Sequence, residues 1–127
     1  AVAVPTTIMH LHSIVAKLGR PSTSEEILSI WEKTPRVRFV EGGLGITSTA
    51  QIMELARDLM RERSDMNEIV VWKDGVHVVG DHLYYYQAIH QESDVVPENV
   101  DCIRAMFSLT EDNMESIKKT DEALGLR

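Results

Sequence analysis

The chain has 127 residues, of which 43% are hydrophobic and 26% charged, enough for one domain with its own core and too few for two. Its net charge of −7, from 20 acids against 13 bases, and the absence of a Lys/Arg cluster exclude nucleic-acid phosphates and anionic membrane surfaces as partners. The single cysteine excludes an internal disulfide framework and suits a reducing, cytoplasmic setting, and no apolar run reaches the roughly 18 residues that a membrane span needs.

In chain order, Ala1-Val2-Ala3-Val4 reads as an apolar strand already under way, with no initiating Met, as expected of a piece of a longer protein. Thr6 to Leu18 alternates as a strand with Ile8, His10, His12 and Ile14 on one face and Met9, Leu11 and Val15 on the other. Gly19-Arg20-Pro21 then leads to a helix over about Thr23 to Lys33, with Ser22…Glu25 and Thr23…Glu26 at capping spacing, stopped by Pro35. A strand at Val37 to Val40 reaches the Gly42-Gly43-Leu44-Gly45 loop. Ser48 and Gln51 open a second helix expected to turn Ile52, Leu55, Ala56, Leu59 and Met60 inward.

From Glu68 the period changes to two. Ile69–Trp72, Val76–Val79 and Leu83–Ile89 read as an antiparallel meander turning at Asp74-Gly75 and Gly80-Asp81. Pro97 suits the first turn of a third helix burying Val100, Ile103, Met106 and Phe107, and Thr110 is placed to cap a last helix that ends at Gly125. The expected fold class is therefore α+β: a mixed or antiparallel sheet covered by helices.

Two features carry chemistry. His10 and His12, two apart on a strand, project to one side, as a shared metal site or one catalytic ring with a neighbour would require; hydrogen-bonded or surface histidines are the plain alternative. A metal would need further ligands, and His77, His82 and His90 have no zinc-like spacing to this pair, so no metal ligand is assigned. The second feature is the polar stretch His90-Gln91-Glu92-Ser93-Asp94-Val95-Val96-Pro97-Glu98-Asn99-Val100-Asp101, set between a hydrophobic strand and a helix. Glu92, Ser93 and Asn99 read as helix caps and dipole partners. Tyr84-Tyr85-Tyr86 reads as sheet packing, the methionines as core filling, and Cys102 as a small hydrophobe on a buried helix face.

Together with Pro5-Thr6-Thr7-Ile8-Met9-His10-Leu11-His12 and Thr49-Ala50-Gln51-Ile52, the His90–Asp101 stretch resembles the archaeal, type II phosphorylating glyceraldehyde-3-phosphate dehydrogenases, in the carboxyl-terminal part of their catalytic domain. The likeness runs from about Pro5 to the end. It implies that residues 1–127 form part of a catalytic domain whose dinucleotide-binding domain is not in this chain. It further implies a cytoplasmic, homotetrameric enzyme with NAD or NADP as cofactor and glyceraldehyde 3-phosphate and inorganic phosphate as substrates.

On this resemblance the histidine following Pro-Thr-Thr-x-Met is catalytic, which is His10, and the glutamine of His-Gln-Glu-Ser, Gln91, supplies its amide to the nicotinamide. The family's nucleophile sits upstream in a Ser-Cys-Asn-Thr-Thr type motif, absent here, so Cys102 is not its counterpart and the chain alone is expected to be inactive. No G-x-G-x-x-G fingerprint is present; Gly42-Gly43-Leu44-Gly45 has the wrong spacing. Two other readings stand beside this one: a free-standing, non-catalytic binding domain, expected to be monomeric with no exposed apolar patch, and a small metal-binding protein using His10 and His12.

Overall fold

A computed structural model describes residues 8–126; the strand expected at Ala1–Val4 and the Pro5-Thr6-Thr7 motif lie outside them. The elements run β1 His10–Lys17, α1 Ser24–Trp31, β2 Val37–Val40, α2 Thr49–Asp58, β3 Ile69–Trp72, β4 His77–Val79, β5 His82–Ile89, α3 Gln91–Met106 and α4 Asn113–Leu124. This is the expected α+β order.

The five strands form one mixed sheet in the order β1-β5-β3-β2, with β4 also paired to β5. β1 lies antiparallel along the whole of β5, from His10 opposite Ile89 to Lys17 opposite His82. On the other side of β5, β3 and β4 lie end to end: Val71 faces Gln87 and His77 faces Tyr84. Six steps along β3 and β4 thus match three along β5, and the surplus residues form the tight 3-10 turn Lys73–Gly75. The meander expected from the sequence is corrected here. Asp74-Gly75 interrupts a strand without reversing it, whereas Gly80-Asp81 is a two-residue hairpin turn whose positive φ of 63° at position 80 suits glycine.

Each sheet face has its own core, as the two-residue side-chain period dictates. One face buries Val71, Val76 and Leu83 beneath Ile27, Leu28 and Trp31 of α1, with Trp31 tilted on Tyr85 at 4.9 Å. On the other face, Met9, Val40, Val70 and Ala88 meet Ile52 and Ala56 of α2 together with Met66. Thr23 caps α1 by accepting the Glu26 N–H, and Ser48 caps α2 by accepting the Gln51 N–H, as their spacing predicts. Leu59 and Met60, expected inside, are exposed beyond the end of α2, where the chain leaves the helix with a positive φ at Met60.

The last two helices depart further from expectation. α3 begins at Gln91, not Pro97, and carries Pro97 buried within it. A proline inside a helix leaves the carbonyl four residues back without its donor; here that is Ser93 O, which accepts from Asn67 Nδ2 at 2.9 Å. Val100, Ile103, Met106 and Phe107, expected to be buried, are all exposed, Met106 by 74% and Phe107 by 70%. Cys102 is exposed as well, so its assignment to a buried face is wrong. Asp112, not Thr110, caps α4 by accepting the Glu115 N–H, and Gly125 ends that helix in the left-handed conformation as expected.

Near the start of β2, ion pairs tie both α3 and α4 to the chain leading into the sheet. Arg36, just before β2, donates to Asp121 at 2.8 Å, Asp101 at 2.5 Å and Glu98 at 2.7 Å. Arg104 adds bonds to Asp101, Ser116 and Thr120. Burial opposes the charge on Arg36, but the hydrogen bonds it donates to the three carboxylates raise its pKa above the ordinary value.

Candidate functional site

His10 and His12 share one sheet face at the open end of β1, with ring centroids 6.2 Å apart and planes tilted by 52°. Their environments differ. Gln87, directly opposite His12 in register, places its amide nitrogen 3.2 Å from His12 Nδ1. An amide NH₂ only donates, so Nδ1 accepts and the ring proton of His12 sits on Nε2. The His10 ring is exposed and forms no hydrogen bond within the described residues, which leaves both its nitrogens open to a ligand. Among the described residues no group of three or more His, Cys, Asp or Glu is arranged to hold a metal ion.

Gln91 is the first residue of α3, exposed, with its amide unbonded within the described residues. Because His10 pairs with Ile89, Gln91 follows two residues after His10's cross-strand partner. The register therefore brings the histidine and the glutamine to the same end of the sheet, one at the start of β1 and the other where β5 passes into α3. Thr49-Ala50-Gln51-Ile52 goes elsewhere, into the first turn of α2, where Gln51 Oε1 accepts the Thr47 N–H at 2.7 Å and Ile52 is in the core.

One group of residues was missed in the sequence. His90 is 5% exposed and its Nδ1 lies 3.3 Å from the Met66 N–H and 2.9 Å from Ser93 Oγ. Ser93 Oγ also donates to Asp65 Oδ1 at 2.9 Å. Burial pushes the Asp65 carboxyl up, but bonds from Arg63 and Ser93 outweigh it and hold its pKa below the ordinary value. The available signal was a His followed three residues later by Ser at a helix start, the spacing of one helical turn.

A cleft of about 420 Å³ opens between the loop before α2 and the sheet, lined by Leu11, Ser48, Thr49, Trp72, Asp74 and Tyr86. Leu11 and Tyr86 belong to the opposite sheet face from His10, so this cleft is separate from the histidine site.

No protein-family model matches the chain. Among curated proteins, it is 57% identical over 126 residues to the glyceraldehyde-3-phosphate dehydrogenase of Pyrococcus abyssi, a match covering 99% of this chain and 37% of that protein. The enzymes of the same name from Methanococcus maripaludis and Pyrococcus furiosus are 55% and 54% identical over the same shares. The chain is thus similar to archaeal glyceraldehyde-3-phosphate dehydrogenases along nearly all of its own length, and spans little more than a third of theirs.

Proposed function

We propose that this chain is the carboxyl-terminal part of the catalytic domain of an NAD(P)-dependent phosphorylating glyceraldehyde-3-phosphate dehydrogenase, with His10 as its acid-base group and Gln91 as its contact to the nicotinamide. The observation that carries this reading is the likeness to enzymes of that name over 99% of the chain. The dinucleotide-binding domain and the nucleophilic cysteine belong to the remainder of the polypeptide, and the complete protein is a cytoplasmic homotetramer.

In the reaction, a cysteine thiolate adds to the aldehyde carbon, that carbon is oxidised to a thioester, and inorganic phosphate displaces the thiol to give 1,3-bisphosphoglycerate. The nicotinamide of NAD or NADP is the hydride acceptor. An exposed imidazole, unbonded among the described residues, suits the proton steps: it accepts the thiol proton, pairs with the thiolate as imidazolium, gives that proton to the aldehyde oxygen as the thiolate adds, and, neutral again, takes the hemithioacetal hydroxyl proton as the carbon is oxidised. Gln91 offers both a donor and an acceptor, the complement of a carboxamide.

Two further features favour a part over a free-standing binding domain. Among the described residues, Ile103 and Met106 of α3 and Phe107 just after it face outward, and the eight-residue strand β1 stands at the sheet edge. A self-sufficient monomer rarely leaves such a patch uncovered. The test is to express the complete protein and follow reduced nicotinamide with glyceraldehyde 3-phosphate, each cofactor in turn, and phosphate present or omitted. Phosphate-dependent reduction is expected; no reduction with either cofactor would refute the reading.

A further inference from the structure

The first turn of α3 is clasped to the loop preceding β3 by three hydrogen bonds, all made by groups that this reaction does not consume. The Met66 N–H reaches His90 Nδ1 at 3.3 Å, Ser93 Oγ reaches Asp65 Oδ1 at 2.9 Å, and Asn67 Nδ2 reaches Ser93 O at 2.9 Å. Met66 is wholly buried among Met9, Ile52, Val70 and Ala88, so the clasp is anchored in the core.

His90 stands at the N-cap position of α3, yet its ring makes none of the usual capping bonds to the helix amides. It turns back to the core instead, while its carbonyl accepts from the N–H groups of Ser93 and Asp94, both at 2.9 Å. An N–H donor at Nδ1 requires the lone pair there, so the ring proton is on Nε2, which lies 3.7 Å from Glu92 Oε2. The one hydroxyl proton of Ser93 then lies between two acceptors, His90 Nδ1 and Asp65 Oδ1. Such buried side chains are fixed on two sides, and the backbone that carries them is fixed with them.

From this geometry we infer that His90 is a positioning residue for the cofactor: by binding the Met66 N–H it sets the first turn of α3, and hence the placement of the adjacent Gln91 amide on the nicotinamide. The inference rests on the role proposed for Gln91. A group displaced by about 1 Å loses much of its contribution, so the effect is read in cofactor binding rather than in folding alone.

The test uses the complete protein with three variants, His90→Leu, His90→Asn and Gln91→Ala, each assayed for cofactor KM, aldehyde KM, kcat and Tm. His90→Leu, which has no acceptor for the Met66 N–H, is expected to raise the cofactor KM about tenfold while leaving the aldehyde KM unchanged. The side-chain oxygen of His90→Asn occupies nearly the place of Nδ1 and is expected to bring the cofactor KM back to within about threefold of the original. If His90→Leu lowers Tm but leaves the cofactor KM unchanged, or His90→Asn does no better than His90→Leu, His90 serves folding only and the inference is overturned. If Gln91→Ala itself leaves the cofactor KM unchanged, the role of Gln91 fails first and the inference falls with it.

Discussion

Replacing Arg36 with Met should loosen α4 without unfolding the sheet. The guanidinium is 7% exposed and faces three carboxylates of unequal worth. Glu98 is 67% exposed, so its pair contributes less than about 1 kcal/mol. Asp101 keeps Arg104, Ser116 and Thr120 when Arg36 is gone. Asp121, 5% exposed, loses the only cation it bonds among the described residues, and leaving a buried charge unpaired costs about 3–5 kcal/mol. With Asp101 still partnered, the lower end of that range applies, about 3 kcal/mol. Amide hydrogen exchange of α4 in the complete protein reads this locally, and the expected fall in protection is about 10²-fold. Arg36→Met/Asp121→Leu, which removes both charges, should recover most of it, since an apolar pair of similar volume replaces a buried ion pair at little cost. Protection within about threefold of the original in Arg36→Met would refute the reasoning, as would a double variant no better than the single one.

The same network has an acid limit. Burial pushes the Asp101 carboxyl up, but the hydrogen bonds from Thr120, Ser116 and Arg36 prevail and lower its pKa. A carboxyl depressed in the folded state contributes stability that is present above its unfolded pKa, about 3.9, and is lost as pH falls through the folded value, so α4 protection should hold from neutral pH to about 4 and decline only below it. A decline already complete at pH 5 would contradict this. Cys102→Ala should leave turnover of the complete protein nearly unchanged, because Cys102 is exposed on α3 and the proposed nucleophile lies elsewhere in the polypeptide; abolished turnover in a steady-state assay would overturn that proposal. Ser93→Ala removes a hydroxyl that is buried between His90 and Asp65, and should lower Tm through a loss of about 1–3 kcal/mol; an unchanged Tm would mean that these hydrogen bonds add nothing to stability.

The elements defined by local signals were readable from the chain, and those defined by distant partners were not. β2 and β3 fall where their β-branched runs place them, and Thr23 and Ser48 cap the helices that their spacing announces. Pro97 misled because proline is ordinarily read as a helix opener, whereas here the side chain of Asn67, 26 residues before Ser93, satisfies the Ser93 carbonyl that the proline leaves open. Val100, Ile103 and Phe107 were expected inside because their spacing makes an apolar stripe; the stripe is real, but within the described residues nothing covers it. The β3–β4 interruption hides in Asp74-Gly75, a dipeptide that marks a turn without saying whether the strand reverses. In the proposed site, His10 and Gln91 are named from the resemblance alone, while the difference between the His10 ring, unbonded among the described residues, and the Gln87-bound His12 ring needed the β1–β5 register.

The most direct test of the central claim is the steady-state phosphorylating turnover of the complete protein with His10 replaced by Asn. A fall of about 10²- to 10⁴-fold in kcat is expected, the range for losing a general acid-base group, with the cofactor KM little changed because Gln91 is untouched. Near-original turnover in a folded His10→Asn protein would remove His10 from the mechanism and contradict the account.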